Sequence, residues 1–251
     1  MTRFGFNMKI LVTNDDGIHA EGLRSIAEEL GREHEICIFA PDQERSGVSH
    51  AMSLKTAGKI RKQGHNAWSC SGTPADCVIL AGLGAIPFTA DIVVSGINRG
   101  PNLGTDIVYS GTCGAARQAS IHGLPSIAVS CASYHEPMKY QAAASFVRRH
   151  LSGLIGAWKP GTFLNINAPS SEDDGLTGRW AFPSKRRYFD KLRSFDAPDG
   201  YSYCFLSDTR IETLAEEGSD HDVVSKGVVA ISAIIVNPQS IDMGPLGTPW
   251  S

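Results

Sequence analysis

Asp15 and Asp16 stand side by side in "ILVTNDDGIHAEGL", between an apolar run and a helical pattern. In a strand, neighbouring side chains face opposite ways. Both carboxylates therefore reach one point only where the strand has ended and the chain turns. Gly17 supplies that turn at little steric cost. One reading is an Asp-Gly turn with a helix cap, for which a single carboxylate is enough. The other is a cation site, because two bare carboxylates in contact repel unless a cation sits between them or one holds a proton.

Two further segments carry polar groups at the ends of apolar runs. "APDQERSGVSH" contains Ser46, and "INRGPNLGTDIVYSGTCGAARQAS" contains Asn98 and Asn102. In open α/β sheets the site lies outside the carboxyl ends of the strands. That rule gathers Asp15, Asp16, Ser46, Asn98 and Asn102 on one edge. All are oxygen donors of the hard type, which suits magnesium, manganese or calcium better than zinc. Ser110, Gly111 and Thr112 precede a helix expected over about Cys113 to His122. A helix N-terminus offers unpaired N–H groups and a positive dipole end, so this stretch reads as a phosphate cradle or as an ordinary Ser/Thr cap. A cation and a phosphate on one edge imply phosphoryl chemistry.

The elements that must position these residues alternate. Lys9–Thr13 reads as a strand. Leu23, Ile26, Ala27 and Leu30 follow the helical spacing, and Gly31 ends it. Glu35–Ala40 is a second strand, and Ser53–Gly72 a polar edge hairpin. "TPADCV" opens a helix with Thr73 as cap and Pro74 at the first position. Ala90–Gly96 is a wholly apolar strand, as in a sheet covered on both faces. Strands over Ser126–Ala132 and Phe163–Pro169 flank a helix marked by Ala143, Phe146, Val147, Leu151 and Leu154. This order predicts an α/β fold: a doubly wound, mostly parallel sheet in a Rossmann-like three-layer arrangement, as one domain over residues 1–251. Strand one leads into "NDDG" and not into a GxGxxG turn, which argues against a dinucleotide-binding dehydrogenase. After Ser170 the sequence turns aromatic and basic, and a long hairpin near the C-terminus is expected. A short helix in "SDHDVV" and a returning strand follow it.

The chain has 251 residues, 42% hydrophobic and 20% charged, with a net charge of -3. This is ordinary for a soluble protein, and no overall basic field attracts nucleic acid. None of the six cysteines forms a CxxC pair. Buried thiols and a reducing, cytoplasmic setting are expected, and no apolar run is long enough to span a membrane. Met8 is a candidate start, with the first seven residues an extension.

"VTNDDGIHAEG", "APDQERSG", "GTPADCV" and "SGINRGPNLGTDIVYSGT" closely resemble the SurE family of survival proteins, from Lys9 to about Ile235. That family consists of metal-dependent nucleotidases and phosphatases of nucleoside monophosphates. The resemblance implies that Asp15, Asp16, Ser46 and Asn98 hold a divalent cation, Mg2+ or Mn2+. It implies that Asn102, Ser110, Gly111 and Thr112 contact the phosphate. It also implies a homodimer or homotetramer formed by exchange of a protruding hairpin between about Arg179 and Leu206. Two departures stand out: "AISAII" replaces the expected "SxTPL", and the tail lacks an amphipathic helix.

The expected reaction is attack of cation-assisted water on phosphorus. An aspartyl-phosphate through Asp15 or Asp16 is the mechanistic alternative, and a nucleotide-binding regulator without turnover is the functional one. No stable nucleic-acid complex is expected. His221 is read as structural, or as a proton donor to the leaving alcohol. Lys185, Arg186, Arg187, Lys191 and Arg193 read as a solvated hairpin face, or as a hold for a longer anion. Tyr109 packs either in the core or against a base.

Overall fold

The structure is a computed structural model and describes residues 7–214 and 216–239. The first six residues, and the tail whose missing helix was noted above, lie outside the described residues. Strands β1 (Lys9–Thr13), β2 (Glu35–Pro41), β3 (Ile60–Gly64), β4 (Ala67–Cys70), β5 (Ile92–Arg99), β6 (Ser126–Cys131), β7 (Thr162–Ala168), β8 (Gly178–Trp180), β9 (Arg186–Asp196), β10 (Ser202–Thr213) and β11 (Val229–Ile235) are joined by six helices. These are α1 (Glu21–Leu30), α2 (Pro74–Gly82), α3 (Asp106–Tyr109), α4 (Gly111–Ile121), α5 (Gln141–Ala157) and α6 (Asp220–Ser225).

Nine strands form one sheet in the order β3-β4-β2-β1-β5-β6-β7-β11-β8, while β9 and β10 form a separate ribbon. The central strands from β4 to β7 are parallel, and β11 returns antiparallel to β7. Alternation in β1 sets the layers. Ile10 and Val12 pack with Leu23 and Ile26 of α1 and Phe146 and Val147 of α5. Leu11 faces the other way, with Cys77 and Val78 of α2 and Ala115 and Ala119 of α4. The doubly wound, three-layer α/β arrangement follows from that pleat.

The sheet reverses direction beside β1: α1 leads to β2 on one side, and β5 lies on the other. The carboxyl ends of β1 and β5 thus open on a topological switch point, where such sheets bind ligands. Local chemistry fixes the start of α2. Thr73 and Asp76 form a capping box at the start of α2, satisfying backbone N–H groups that the helix leaves free.

Two expected boundaries change. Helix α4 begins at Gly111, because the Ser110 hydroxyl accepts from the Cys113 N–H at 3.1 Å. Gly111 and Thr112 are therefore its first turn and do not precede it. The hairpin runs over Arg186–Asp196 and Ser202–Thr213, not from Arg179 to Leu206. Residues Gly178–Trp180 instead pair with β11 in the main sheet, where a Cβ on Gly178 would lie 2.5 Å from the Phe146 ring. Five cysteines are buried and Cys204 is exposed, all unpaired.

Candidate active site

Asp15 stands two residues past the end of β1, and Asn14, between them, closes the turn. The Asn14 amide donates to the Gly17 carbonyl at 3.1 Å, and its Oδ1 accepts from the Gly17 N–H at 3.2 Å. Gly17 has φ +98°, and a Cβ there would sit 3.1 Å from the Gln43 backbone. The turn therefore needs glycine. The loop after β2 is laced onto the same turn, with the Arg45 N–H donating to the Asp15 carbonyl at 2.6 Å. That contact places Ser46, whose hydroxyl donates to Glu44 at 2.8 Å.

Asn98 arrives through an irregularity in β5, whose pairing with β6 slips between Ser95 and Asn98. Gly96 makes the slip possible: its φ is +138°, and a Cβ would lie 2.3 Å from the Val129 carbonyl oxygen. Such bulges re-aim a side chain at a strand end. The Asn98 amide donates to the Gly100 carbonyl at 2.9 Å, and its Oδ1 is turned toward Thr112, 3.4 Å away.

Thr112 is fully buried behind Asp15. Its hydroxyl donates to Asp15 Oδ1 at 2.5 Å. The cradle reading gave that hydroxyl to a phosphate; in the structure the carboxylate takes it. Gly111 is equally close, since a Cβ there would meet the Asp15 side chain at 2.9 Å. Asn102 is pinned from the far side of the sheet. Its N–H donates to Asn167 Oδ1 at 2.8 Å, its carbonyl accepts from Asn165 and Asn167, and its amide donates to Ser130 at 2.9 Å.

Asp15, Ser46, Asn98, Asn102 and Ser110 line one cleft of about 270 Å³, together with Gly47, Arg99, Asp106, Tyr109 and Tyr188. Asp16 lines an adjoining hollow with Glu44, Glu136 and Tyr140, and Arg99 borders both. His221 does not line the cleft; its N–H donates to the carboxylate of Asp220 at 2.8 Å. Arg186 is not on a solvated face. Its side chain is 4% exposed and paired with Asp106, and it donates to the Tyr134 hydroxyl at 2.8 Å. Asp106 also accepts from the Tyr188 hydroxyl. The root of the ribbon is thus fastened to the cleft wall.

Burial holds the Asp15 carboxyl above its ordinary pKa, against the opposing pull of the Thr112 hydroxyl and the N–H groups of Thr112 and Gly111. Asp16 is pushed up to about 6, first by burial and then by the charge of Asp15, with the Arg99 N–H opposing. The neighbouring guanidinium groups offset the pair only in part, Arg99 acting on Asp16. Arg99 donates to Glu136 at 2.6 Å and Arg45 to the Ser71 carbonyl at 2.6 Å. A carboxylate pair with neutral Ser and Asn oxygens around it, and Arg99 as only a partial counter-charge, matches a hard divalent cation in charge and donor type.

A model of the family described as survival protein SurE matches residues 10–190. The chain belongs to the SurE family. Among its relatives, the 5'-nucleotidase SurE of Kosmotoga olearia is 42% identical over 234 residues, covering 90% of this chain and 92% of that protein. That of Geotalea uraniireducens is 40% identical over 230 residues, with the same coverage. The crystal structure of the SurE protein from Aquifex aeolicus aligns with a TM-score of 0.78 and 32% identity, covering 92% of this chain and 94% of that one. No described helix is long and apolar enough to cross a membrane.

The Thr112–Asp15 bond gives a direct expectation for this SurE site. Thr112→Val keeps the shape and removes the donor. A residue that orients a ligand is worth about 10–100-fold in metal affinity, so titration of the variant with Mn2+ should show a loss of that size. Ser110→Ala should lower thermal stability as well as activity, because the cap contributes about 1 kcal/mol. Metal affinity unchanged in Thr112→Val would leave that hydroxyl a packing feature only.

Proposed function

We propose that this SurE-family protein is a metal-dependent phosphomonoesterase that hydrolyses nucleoside monophosphates to nucleoside and phosphate. The name 5'-nucleotidase carried by relatives about 40% identical over most of the chain supports the substrate class. The single observation that carries the chemistry is the adjacent pair of carboxylates at the switch point, Asp15 buried and Asp16 half-buried, each raised in pKa by desolvation. Asp15, Asp16, Ser46 and Asn98 would hold the cation, Mg2+ or Mn2+. When bound, such a cation polarises a phosphate ester and lowers the pKa of water.

The chain's own residues do the rest. Thr112 fixes the rotamer of Asp15 by its short hydrogen bond. Asn102, immobilised by Asn165, Asn167 and Ser130, forms a fixed part of the pocket wall. Ser110 and Gly111, at the start of α4, an 11-residue helix, present its positive end to the phosphate oxygens. Water is the proposed nucleophile, since the Asp15 carboxylate is held from behind by Thr112. Phosphate release from a panel of nucleoside 5'- and 3'-monophosphates, compared with the triphosphates, tests this reading. Tight nucleotide binding without any release would make the protein a nucleotide-binding regulator instead.

Assembly belongs to the same proposal. The ribbon of β9 and β10 exposes Leu192, Phe195, Phe205 and Leu206, each more than half accessible. Contiguous apolar patches of this kind mark interaction sites. A homodimer or homotetramer in the cytoplasm is proposed, joined through this ribbon. Sedimentation at micromolar concentration should show at least a dimer, and Phe195→Asp with Leu206→Asp should dissociate it. A monomeric wild type would overturn the assembly.

A further inference from the structure

The cleft has a polar floor and an aromatic rim. Tyr109 is the last residue of α3 and directly precedes Ser110, the cap of α4. It leaves 55% of its surface exposed beside the site, although nothing in the core requires an aromatic ring there. Tyr188 comes from the ribbon, 79 positions further along. Its ring meets that of Tyr109 edge to face, with centroids 6.1 Å apart and planes at 89°. The Tyr188 hydroxyl is held by the Asp106 carboxylate, which also pairs with Arg186. Tyr188 is thus a fixed buttress: it restrains the Tyr109 ring from one side.

An edge-to-face pair at this distance has no slot between the rings into which a flat group could slide. A planar ligand group must then be received on the outward surface of Tyr109. Both rings line the same cleft as Asp15, Asn102 and Ser110. A ligand anchored by phosphate at the start of α4 would therefore carry its far end past Tyr109. The groups on a nucleotide that a ring face attracts are its bases, and stacking on an aromatic side chain tolerates any base because each has a π-face.

We propose that Tyr109, buttressed by Tyr188, is the nucleobase platform of this enzyme and sets its preference for nucleotides over other phosphomonoesters. The proposal rests on the phosphomonoesterase reading of the cleft. Asp106 and Arg186 act as positioning residues, through Tyr188.

The test compares kcat/KM for AMP with that for ribose 5-phosphate, which has the same phosphate and sugar but no base. Tyr109→Leu removes the ring and keeps an apolar side chain; Tyr109→Phe keeps the ring. The ratio of AMP to ribose 5-phosphate should fall by about tenfold in Tyr109→Leu, within the range of base–aromatic stacking. The change should lie mainly in KM, and Tyr109→Phe should hold the wild-type ratio. An unaltered ratio in Tyr109→Leu overturns the platform. So does an equal fall in Tyr109→Phe, which would assign the effect to the hydroxyl. Wild type that releases phosphate from neither substrate is a separate result, and it removes the enzyme reading itself.

Discussion

In excess chelator, phosphate release from a nucleoside monophosphate is expected to fall by about three orders of magnitude, and added magnesium or manganese to restore it. The size follows from the several kcal/mol that a Lewis-acid cation contributes to the transition state of phosphoryl transfer. The direction follows from the site. Asp15 is buried and Asp16 half-buried, and the guanidinium groups of Arg99 and Arg45 are committed to Glu136 and to the Ser71 carbonyl. The remaining donors, Ser46, Asn98 and Asn102, are neutral oxygens, so a hard cation should restore activity better than a thiophilic one. Colorimetric phosphate release, with metal content measured on the same sample, checks this. Full turnover in chelator, by protein free of metal, would contradict it.

Much of this site is legible in the sequence because its parts sit at the ends of strands. "NDDG" after β1 and "INRGPN" after β5 are local signals, and the switch-point rule joins them across about 80 positions. The capping box of α2 and the Gly31 stop of α1 are equally local, and both helices form where those signals stand. What the sequence hides is support from afar. "FLNINAP" reads as an ordinary buried strand, yet Asn165 and Asn167 alternate with Leu164 and Ile166 and so share one face. Two buried amides on one face require partners, and their partner is the backbone of Asn102. That requirement was the available signal. No comparable signal marks Asp106, whose partners Arg186 and Tyr188 lie 80 and 82 positions away. A basic run such as "SKRRY" looks solvated until the fold supplies a buried carboxylate. The displaced ribbon boundary has a similar cause: "GRW" is drawn into the main sheet by β11, a tertiary pairing that outweighs its likeness to the aromatic stretch after it.

Asp16→Asn should separate the two readings of "NDDG" through opposite effects on stability and catalysis. In the metal-free protein Asp16 is raised from 3.8 to about 6 by burial and by the charge of Asp15. Its ionisation is thus disfavoured in the folded state relative to the unfolded one. Below the unfolded pKa both states hold the proton, and there is no penalty. As pH rises from about 4 to about 6 the unfolded chain loses its proton first, and stability falls. Above about 6 the loss is complete, about 3 kcal/mol by the size of the shift. Asparagine does not titrate and keeps an oxygen that can accept from the Arg99 N–H, the bond Asp16 makes at 3.0 Å. In chelator at neutral pH the variant should therefore melt above wild type, by several degrees for a chain of this size. The two curves should converge near pH 4. Magnesium reverses the order: at a thousandfold excess over Kd it stabilises wild type by about 4.1 kcal/mol, and the variant, short of one ligand charge, by much less. Phosphatase activity of the variant should be close to background even with magnesium. Thermal unfolding of both proteins between pH 4 and 8, with chelator and with magnesium, provides the measurement. If Asp16→Asn melts below wild type in chelator at neutral pH, the pair supports the turn and not a cation.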